Sequence, residues 1–258
     1  MNISGSSDLD SNSVAVWWID LDTISEDQTR MLRGLLPSDE TARIDRLLRP
    51  IDRKRSIVAH AALRLLLSRL IGLPNSQLAI TRTTDGKPIW PQSGYEFSLS
   101  HSGRRVVLAI SQGPQVGIDV EEHRHFSDLA DMIPLYFHAG EAAELMALAP
   151  ARREDGFFTM WCAKEAVVKA LGQGLRSPLS GFQISNSGGS YDWPSRPAVS
   201  LRRTGRCTRY PLALIIGPPS PLGVMRLIWV TMSLLLPRLA LQYLSNPLHI
   251  TTPQTDVS

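Results

Sequence analysis

The predicted strands and helices of this chain form two segments with a similar order of elements, which limits the folds that the chain can adopt. In residues 14–82 a β-branched and aromatic segment, Val14–Leu21, predicts a strand, and helices then lead to a further strand at 78–82. Residues 95–185 also begin with strands and continue with helices and a strand. The six helices are predicted at 25–34, 38–49, 53–71, 127–137, 139–148 and 153–171. This order indicates an α/β (α+β) fold of two similar halves, although the sequence shows no close internal repeat.

Composition shifts along the chain predict its domain boundaries. Residues 1–13 are rich in Ser, Asp and Asn, which predicts a disordered N-terminus. We expect an N-terminal half at 14–94, a C-terminal half at 95–232 and a tail of uncertain role at 233–258. Strands in the C-terminal half are predicted at 95–100, 105–111, 115–121, 181–185, 199–202, 211–216 and 225–232.

Three local signals make sharper predictions about how single elements begin, end or join. Ser38 is a candidate N-cap for the second helix, and Pro50 is expected to end that helix. Gln112-Gly113-Pro114 predicts a hairpin between the strands at 105–111 and 115–121.

The composition argues against several classes of protein. The chain has 258 residues, 43% of them hydrophobic, which is enough to bury a core in one large domain or in two halves. Its two cysteines, Cys162 and Cys207, are too few for a disulfide framework or a structural zinc site. The N-terminus is polar and acidic, unlike a signal peptide, so we expect a cytoplasmic protein. The longest apolar run, Leu227–Leu236, is well short of the roughly 20 residues of a membrane span, so no membrane association is expected.

Charge is unevenly distributed along the chain. Residues 30–69 carry ten basic and four acidic side chains, a local net charge of +6. Residues 119–165 carry ten acidic and four basic side chains, a local net charge of −6. The first segment could hold a polyanion and the second a divalent cation, although solvated helix surfaces explain both equally well.

Two carboxylates share one face of a predicted strand in the segment Val116–Glu121. Because alternate side chains of a strand point to opposite faces, Asp119 and Glu121 lie together while Ile118 and Val120 face the core. Two such carboxylates repel each other unless a cation or a proton lies between them, and Mg²⁺ prefers hard oxygen ligands. A simple exposed strand end would carry the same pattern.

A second group of chemical interest lies on the helix predicted at 153–171. Trp161, Glu165 and Lys169 are spaced four residues apart and form one stripe of that helix. Glu165 could be a third metal ligand, a general base, or both, and Lys169 could contact the same anionic group. An ordinary ion pair of an amphipathic helix is the alternative.

A polar cluster ends the strand at 95–100. The hydroxyl of Ser100, the imidazole of His101 and the free backbone N–H groups there suit a phosphate. A Ser–His nucleophile pair is disfavoured, because adjacent residues do not readily hydrogen-bond as nucleophile and base and no G-x-S-x-G motif is present. His123 and His125 lack a third nearby ligand and are interpreted as surface residues.

Taken in order, the motifs FSLSHSG, VGIDVE and WCAKEAVVKALGQGL resemble those of the surfactin-type (Sfp-type) 4′-phosphopantetheinyl transferases. Gly86-Lys87-Pro88 matches the G-K-P motif of that family, and Arg53–Arg64 is similar to its basic helix. The resemblance covers roughly residues 14–185. It implies a pseudo-dimer of two similar halves with the coenzyme A site between them.

The resemblance also implies roles for individual residues. The expected Mg²⁺ ligands are Asp119, Glu121 and Glu165. The expected contacts of the coenzyme A pyrophosphate are His101 and Lys169. The 3′-phosphoadenosine end is expected to meet Lys87, Ser100 and Arg55, with Arg43 and Arg46 as helpers. Cys162 stands where the family has a small or hydroxyl residue, and we expect it to be tolerated.

The implied reaction transfers 4′-phosphopantetheine from coenzyme A to a serine of an apo acyl or peptidyl carrier protein. Glu165 is the candidate base, Lys169 and His101 assist at the phosphates, and adenosine 3′,5′-bisphosphate leaves. A monomer is expected, with no nucleic acid or membrane partner. One alternative is a non-catalytic module that binds coenzyme A or carrier proteins. A nucleic-acid binder that uses residues 43–69 is another, but it lacks interleaved aromatic residues and leaves the acidic cluster unexplained.

Overall fold

The computed structural model describes residues 13–113, 115–172, 178–184, 190–193, 196–203, 212–216 and 226–231. The helices are α1 (Glu26–Arg33), α2 (Ser38–Asp45), α3 (Pro50–Ile71), α4 (Leu129–Tyr136), α5 (Ala139–Ala147) and α6 (Pro150–Leu171). The strands of the first part of the chain are β1 (Ser13–Asp20), β2 (Thr81–Arg82), β3 (Pro88–Ile89), β4 (Tyr95–Ser102) and β5 (Arg105–Gln112). Those of the second part are β6 (Val116–Val120), β7 (Ser190–Trp193), β8 (Arg196–Arg203), β9 (Leu212–Ile216) and β10 (Arg226–Thr231).

The strands form two four-stranded sheets and a short two-stranded ribbon. The first sheet has the order β10-β1-β5-β4 and the second has the order β6-β9-β8-β7. Neighbouring strands are antiparallel except β1 and β10, which are parallel, so residues 226–231 return to the first sheet. The ribbon joins β2 to β3 around the turn at Asp85-Gly86.

The two parts of the chain repeat one arrangement of elements. A strand and two short helices precede a long helix in each part, and α3 and α6 are both 22 residues long. Both long helices begin with proline and end at a glycine in the left-handed conformation, Gly72 and Gly172. Helix α3 packs on β4 and β5, whereas α6 packs on β6 and β9. The α+β fold of two similar halves that the sequence predicted is therefore confirmed.

A glycine in β6 allows α6 to approach this strand closely. A Cβ atom on Gly117 would lie 2.0 Å from the backbone oxygen of Ala166 and 2.6 Å from the backbone nitrogen of Ala170. Only glycine fits this contact, because a methyl group there would overlap the helix backbone. The contact fixes α6 directly over the strand that carries Asp119.

Several local predictions were wrong. The hairpin between residues 105–111 and 115–121 does not form, because β5 pairs with β1 and β4 while β6 pairs with β9 in the other sheet. Ser38 is the first residue of α2 and Pro37 is its N-cap. Pro50 begins α3 instead of ending α2, which already ends at Asp45. Proline suits that first position since its missing N–H would have no partner inside the helix.

The predicted boundary at residue 94 separates strands that share a sheet. β4 and β5, which we assigned to the C-terminal half, hydrogen-bond to one another and through β5 to β1. Residues 182–184, predicted as part of a strand, are irregular and follow a 3₁₀ turn at Leu179–Gly181. The predictions for residues 1–12 and 233–258 lie outside the described residues. None of the described helices is both long and apolar enough to cross a membrane.

Candidate active site

Alternate serines of β4 hold the carboxylate-bearing strand β6. Ser98, Ser100 and Ser102 share one face of β4, and each bonds to β6 or to the residues just after it. Ser98 Oγ accepts the backbone N–H of Ile118 at 3.1 Å, and Ser100 Oγ donates to Asp119 Oδ1 at 2.8 Å. Ser102 Oγ donates to Glu121 Oε2 at 2.6 Å. This serine row joins the two sheets and orients both carboxylates of the D-x-E motif.

Lys169 of α6 bonds the same oxygen of Asp119 as Ser100 does. Its Nζ lies 2.5 Å from Asp119 Oδ1 and 2.8 Å from Ser100 Oγ. The Asp119 side chain is 2% exposed and that of Lys169 is 30% exposed. Burial alone would lower the pKa of Lys169, but the charge and hydrogen bond of Asp119, with the charges of Glu165 and Glu121, raise it above its ordinary value. Lys169 is therefore a cation in this contact.

The remaining two carboxylates of the predicted metal site, Glu121 and Glu165, both have raised pKa values. Burial raises the pKa of Glu165, and the negative charges of Asp119 and Glu121 add to this effect. Burial and the charge of Asp119 also raise the pKa of Glu121, against the hydrogen bond from Ser102. Three mutually repelling carboxylates therefore share the site with the ammonium of Lys169, and the guanidinium of Arg124 lies 4.0 Å from Glu121 Oε2.

The donor set fits a hard divalent cation, although the ligands are not gathered. Asp119 Oδ2 is buried without a hydrogen-bond partner in the described part of the chain. The Cys162 thiol lies beside this carboxylate, but a thiol is only a weak donor, so Asp119 keeps capacity for a further cation. No three His, Cys, Asp or Glu side chains of the described residues are close enough together to hold a metal. The metal assignment of Asp119, Glu121 and Glu165 thus stays a prediction.

A cation-lined cavity of about 390 Å³ adjoins these carboxylates. Its lining includes four cationic side chains from both halves of the chain, together with the imidazole of His101 and the candidate base, namely Arg43, Arg82, Lys87, Lys169, His101 and Glu165. The guanidinium groups of Arg43 and Arg82 each lie 3.3 Å from Nε2 of His60, which also lines the cavity. Burial, with the charges of Arg82 and Arg43, lowers the pKa of His60 well below its usual range. This concentration of positive charge suits a ligand that carries several phosphates.

Lys87 connects the G-K-P turn to the end of α6. Its Nζ donates to the backbone oxygen of Ala170 at 3.1 Å, and burial lowers the pKa of the ammonium. The turn itself is closed by a bond from Gly86 N to Thr83 O, with Gly86 at a φ of +86° that glycine adopts without strain. The structure therefore brings Lys87, His101 and Lys169 into one cavity, and their roles toward a shared ligand stay predictions.

A second cavity, of about 660 Å³, shares the lining residue His101 with the first. His101 lines both cavities, and the second also includes Arg49, Arg55, Ser102 and Glu121. Arg55, which we expected at the adenosine end, lies in this second cavity and is paired with Asp52. The roles of Arg55 and of Arg46, an exposed residue at the end of α2, stay predictions.

His101 stays neutral where the two cavities meet. Burial lowers its pKa to about 4, and the charges of Arg55 and Lys169 act in the same direction. At neutral pH the imidazole can therefore donate one N–H to a phosphate but adds no charge of its own.

Sequence reasoning missed several residues of the site. Ser98 and Ser102 were passed over, although their two-residue spacing around Ser100 on a strand places all three on one face. His60 and Arg82 were also missed, and only Arg82 carried a signal, since it lies close before the G-K-P turn. His60 reaches the cavity from the middle of α3, where an apolar helix pattern gives no indication of a ligand site.

Buried charges also anchor the segment after α6. Lys164, which is adjacent to Glu165, donates to both carboxylate oxygens of Glu141 at 2.8 and 2.6 Å and to Phe182 O at 2.5 Å. Glu141 in turn accepts the backbone N–H groups of His138 and Ile184. Both charged side chains are fully buried, so the pair holds one side of α6 against the protein interior. The adjacent residue Glu165 lines the cavity.

Two family models divide the chain between them. Residues 23–113 match the N-terminal 4′-phosphopantetheinyl transferase model, and residues 115–210 match the model of the 4′-phosphopantetheinyl transferase superfamily. The transferase HetI of Nostoc sp. is 35% identical over 169 residues, which cover 64% of this chain and 71% of that protein. The chain belongs to the surfactin-type 4′-phosphopantetheinyl transferase family.

Other relatives share the same activity. The transferase psf-1 of Bacillus pumilus is 33% identical over 60% of this chain and 66% of its own length. The transferase Sfp of Bacillus subtilis is 26% identical over 62% of this chain and 71% of its own length. The protein is therefore a 4′-phosphopantetheinyl transferase, and the division of the matches near residue 114 agrees with the start of the second sheet.

Proposed function

We propose that this transferase moves the 4′-phosphopantetheine group of coenzyme A to a serine of an apo acyl or peptidyl carrier protein in a Mg²⁺-dependent reaction. The observation that carries this proposal is the junction at Lys169 and Glu165. Both residues line the cation-rich cavity, while Lys169 also bonds Asp119 beside the acidic cluster. A ligand with several phosphates and the acidic residues that would hold a metal thus meet at one point.

The cation-rich cavity is the proposed site of the adenosine end of coenzyme A. Arg43, Arg82, Lys87 and Lys169 supply positive charge to this cavity, so several phosphates could bind there. His101, neutral at pH 7, would donate a hydrogen bond to the pyrophosphate. The cavity volume of about 390 Å³ falls within the range of ordinary small-molecule sites.

The second cavity is the proposed entrance for the acceptor serine. It meets the first cavity at His101 and includes Glu121, so a serine placed there would approach the pyrophosphate from the side away from the adenosine. An approach from that side would allow the attacking and leaving oxygens to lie in line.

In the proposed reaction the serine Oγ forms a bond to the β-phosphorus of coenzyme A, and the bond from this phosphorus to the bridging oxygen breaks. Adenosine 3′,5′-bisphosphate leaves with the electron pair of that bond. Glu165 is the proposed acceptor of the serine proton, directly or through water, and Lys169 would neutralise the leaving phosphate. The raised pKa of Glu165 brings it nearer to that of a useful general base.

Asp119, Glu121 and Glu165 are the residues that would hold Mg²⁺. The unpartnered Oδ2 of Asp119 and the hard oxygen donors of these three carboxylates are the features that fit such an ion. When bound, the ion would supply positive charge to the pyrophosphate oxygens.

The test is to incubate the protein with coenzyme A, Mg²⁺ and several apo carrier proteins and to measure the mass of each carrier. A gain of one phosphopantetheine on the carrier serine supports the proposal. Asp119→Asn should sharply reduce this turnover at any Mg²⁺ concentration, whereas Glu144→Gln, at an exposed carboxylate of α5, should not. Unchanged turnover in Asp119→Asn would contradict the proposed metal site. Tight coenzyme A binding without modification of any carrier would instead favour a non-catalytic binding module.

Both halves that line the site belong to one chain, so we also propose that the enzyme acts as a monomer. Sedimentation of the protein with and without coenzyme A tests this. A dimer whose dissociation abolishes activity would contradict it.

A further inference from the structure

The contact between Lys169 and Asp119 uses the same carboxylate that the proposed metal site requires. Asp119 Oδ1 accepts hydrogen bonds from both Ser100 Oγ and Lys169 Nζ, at 2.8 and 2.5 Å. A divalent cation bound to either oxygen of this carboxylate would lie within a few ångströms of the ammonium. Because like charges at such distances repel in a partly buried site, a divalent cation at this carboxylate would weaken the hold of Asp119 on the ammonium.

The ammonium has an alternative position within its reach. Lys169 lines the cation-rich cavity, and a lysine head group lies on a flexible stem of four methylene groups. Rotation of that stem would move Nζ from Asp119 into the cavity without moving α6. The close packing of α6 on Gly117 makes the side chain, and not the helix, the part that moves.

Lys169 by itself does not balance the charge of the three carboxylates, and the further cation among the described residues, Arg124, lies 4.0 Å from Glu121 at an exposed position. The three carboxylates Asp119, Glu121 and Glu165 carry three negative charges when ionised, and Lys169 neutralises one of them. A divalent cation would neutralise the other two. Once that ion has joined the cluster, an ammonium released toward the cavity would meet the phosphates of the ligand bound there.

We infer that Lys169 competes with the divalent cation for Asp119, and that binding of the cation releases the ammonium to the phosphate cavity. This inference rests on the proposed function, because it takes the acidic cluster as the metal site and the cavity as the phosphate site. It adds an order of events. The metal binds its carboxylates first, and the Lys169 ammonium then moves to the phosphates of the second ligand.

The first test measures Mn²⁺ affinity in the absence of coenzyme A and of any carrier protein. The full chain is treated with a chelator, dialysed and titrated with Mn²⁺ while free Mn²⁺ is followed by electron paramagnetic resonance. Lys169→Gln should bind Mn²⁺ about tenfold more tightly than the wild type, since a competing charge at the ligand has been removed. Lys87→Gln is the matched control, because Lys87 lines the same cavity but bonds to Ala170 and should change the affinity little.

The outcomes of this titration distinguish a failure of the inferred competition from a failure of the proposed metal site. Equal Mn²⁺ affinity in the wild type and Lys169→Gln overturns the competition and leaves the transferase proposal intact. No Mn²⁺ binding by the folded wild type overturns the metal site itself. An equal gain in Lys87→Gln would show a general effect of charge and would also overturn the inference.

A second test uses only the wild-type protein, so it does not depend on the folding of a variant. The rate at which an amine-reactive reagent labels Lys169 is measured by peptide mass spectrometry. Addition of Mg²⁺ should raise the rate several-fold as the ammonium leaves Asp119, and adenosine 3′,5′-bisphosphate should lower it again. Lys54, which bonds Ile24 O and Glu26 far from the carboxylates in sequence, is the internal control. A labelling rate of Lys169 that Mg²⁺ leaves unchanged overturns the inference.

Discussion

Ser102 Oγ lies 2.6 Å from Glu121 Oε2 and also accepts the backbone N–H of Glu122 at 3.0 Å. A strand of the first sheet therefore orients a carboxylate that follows a strand of the second. The three serines of this row differ in what they touch. Ser98 bonds only backbone among these contacts, whereas Ser100 and Ser102 bond carboxylates of the D-x-E motif.

Replacing Ser102 should therefore weaken metal binding as well as the fold. Ser102→Ala removes the donor to Glu121 and the hydroxyl that accepts the N–H of Glu122, which we expect to cost about 1–3 kcal/mol of the free energy of unfolding. Loss of such an orienting bond should weaken Mn²⁺ binding by about 10-fold or more. Urea denaturation and a Mn²⁺ titration measure the two effects.

Ser98→Ala is the matched control for this prediction. It should cost a similar free energy of unfolding, because Ile118 loses the acceptor of its N–H, but it should leave Mn²⁺ affinity near that of the wild type. If both variants bind Mn²⁺ alike, the serine row has only a structural role.

Gly117 offers a test of how closely β6 and α6 must pack. A methyl group in Gly117→Ala would overlap the backbone of Ala166 and Ala170, so the helix must move away from the strand. We expect a loss of at least about 3 kcal/mol in the free energy of unfolding, as for severe overpacking. Turnover should fall too, because Glu165 and Lys169 move with α6 away from Asp119.

Gly34→Ala is the control for that variant. A Cβ at Gly34 would meet nothing closer than Met31 O at 3.3 Å, so only a small change in unfolding free energy is expected. Urea midpoints and unfolding slopes measure both variants. A Gly117→Ala protein as stable and as active as Gly34→Ala would show that the approach of α6 is not required.

The long elements of the fold could be predicted because single periodic patterns define them. Helix α3 and strand β1 have such patterns, and the structure places them close to where the sequence did. The Gln112-Gly113-Pro114 turn misled for a different reason. A turn signal shows that the chain reverses, but it does not determine which strand pairs with which, and β6 finds its partner β9 almost a hundred residues later.

The candidate site shows the same division between local and long-range information. Asp119 and Glu121 could be paired from strand geometry alone, and Glu165 and Lys169 from helix spacing. The contact between Lys169 and Asp119 depends on how α6 packs on β6. Gly117 allows this close packing of helix and strand backbones, and a pattern of side chains in the sequence does not predict such a contact. His60 is a further case, because its neighbours in space, Arg43 and Arg82, are distant in the chain.

The buried pair Lys164–Glu141 should be far more important to stability than an exposed pair with similar distances. Lys164→Met leaves the carboxylate of Glu141 buried and uncompensated, which we expect to cost about 3–5 kcal/mol. Because Glu141 also holds the N–H groups of His138 and Ile184, the loss should extend to the segment after α6. Hydrogen exchange of Ile184 and urea denaturation measure these effects.

The exposed pair Arg33–Asp45 is the comparison. Its two bonds are both 2.8 Å long, yet both side chains are well exposed to water, so Arg33→Met should change stability much less. Equal losses in the two variants would contradict a role for the burial of Lys164.

The protein should become less stable as the pH falls from about 6.5 to about 4, a range set by the pKa of His101. Its pKa is about 4 in the folded protein and 6.5 ordinarily, so between these values the unfolded chain binds a proton that the folded protein does not. Unfolding is therefore favoured as the pH falls through this range, by at most about 1.4 kcal/mol for each pH unit. His60, whose pKa is also lowered, contributes with the same sign.

His101→Gln should remove this part of the pH dependence. The difference in unfolding free energy between the wild type and His101→Gln should be constant above about pH 7 and should shift against the wild type as the pH falls toward 5. The difference in unfolding free energy between the wild type and His60→Gln should also shift against the wild type as the pH falls. Urea denaturation at pH 7.5, 6.5, 5.5 and 5.0 would measure these differences, and parallel curves for the wild type and His101→Gln would show that burial does not hold His101 neutral.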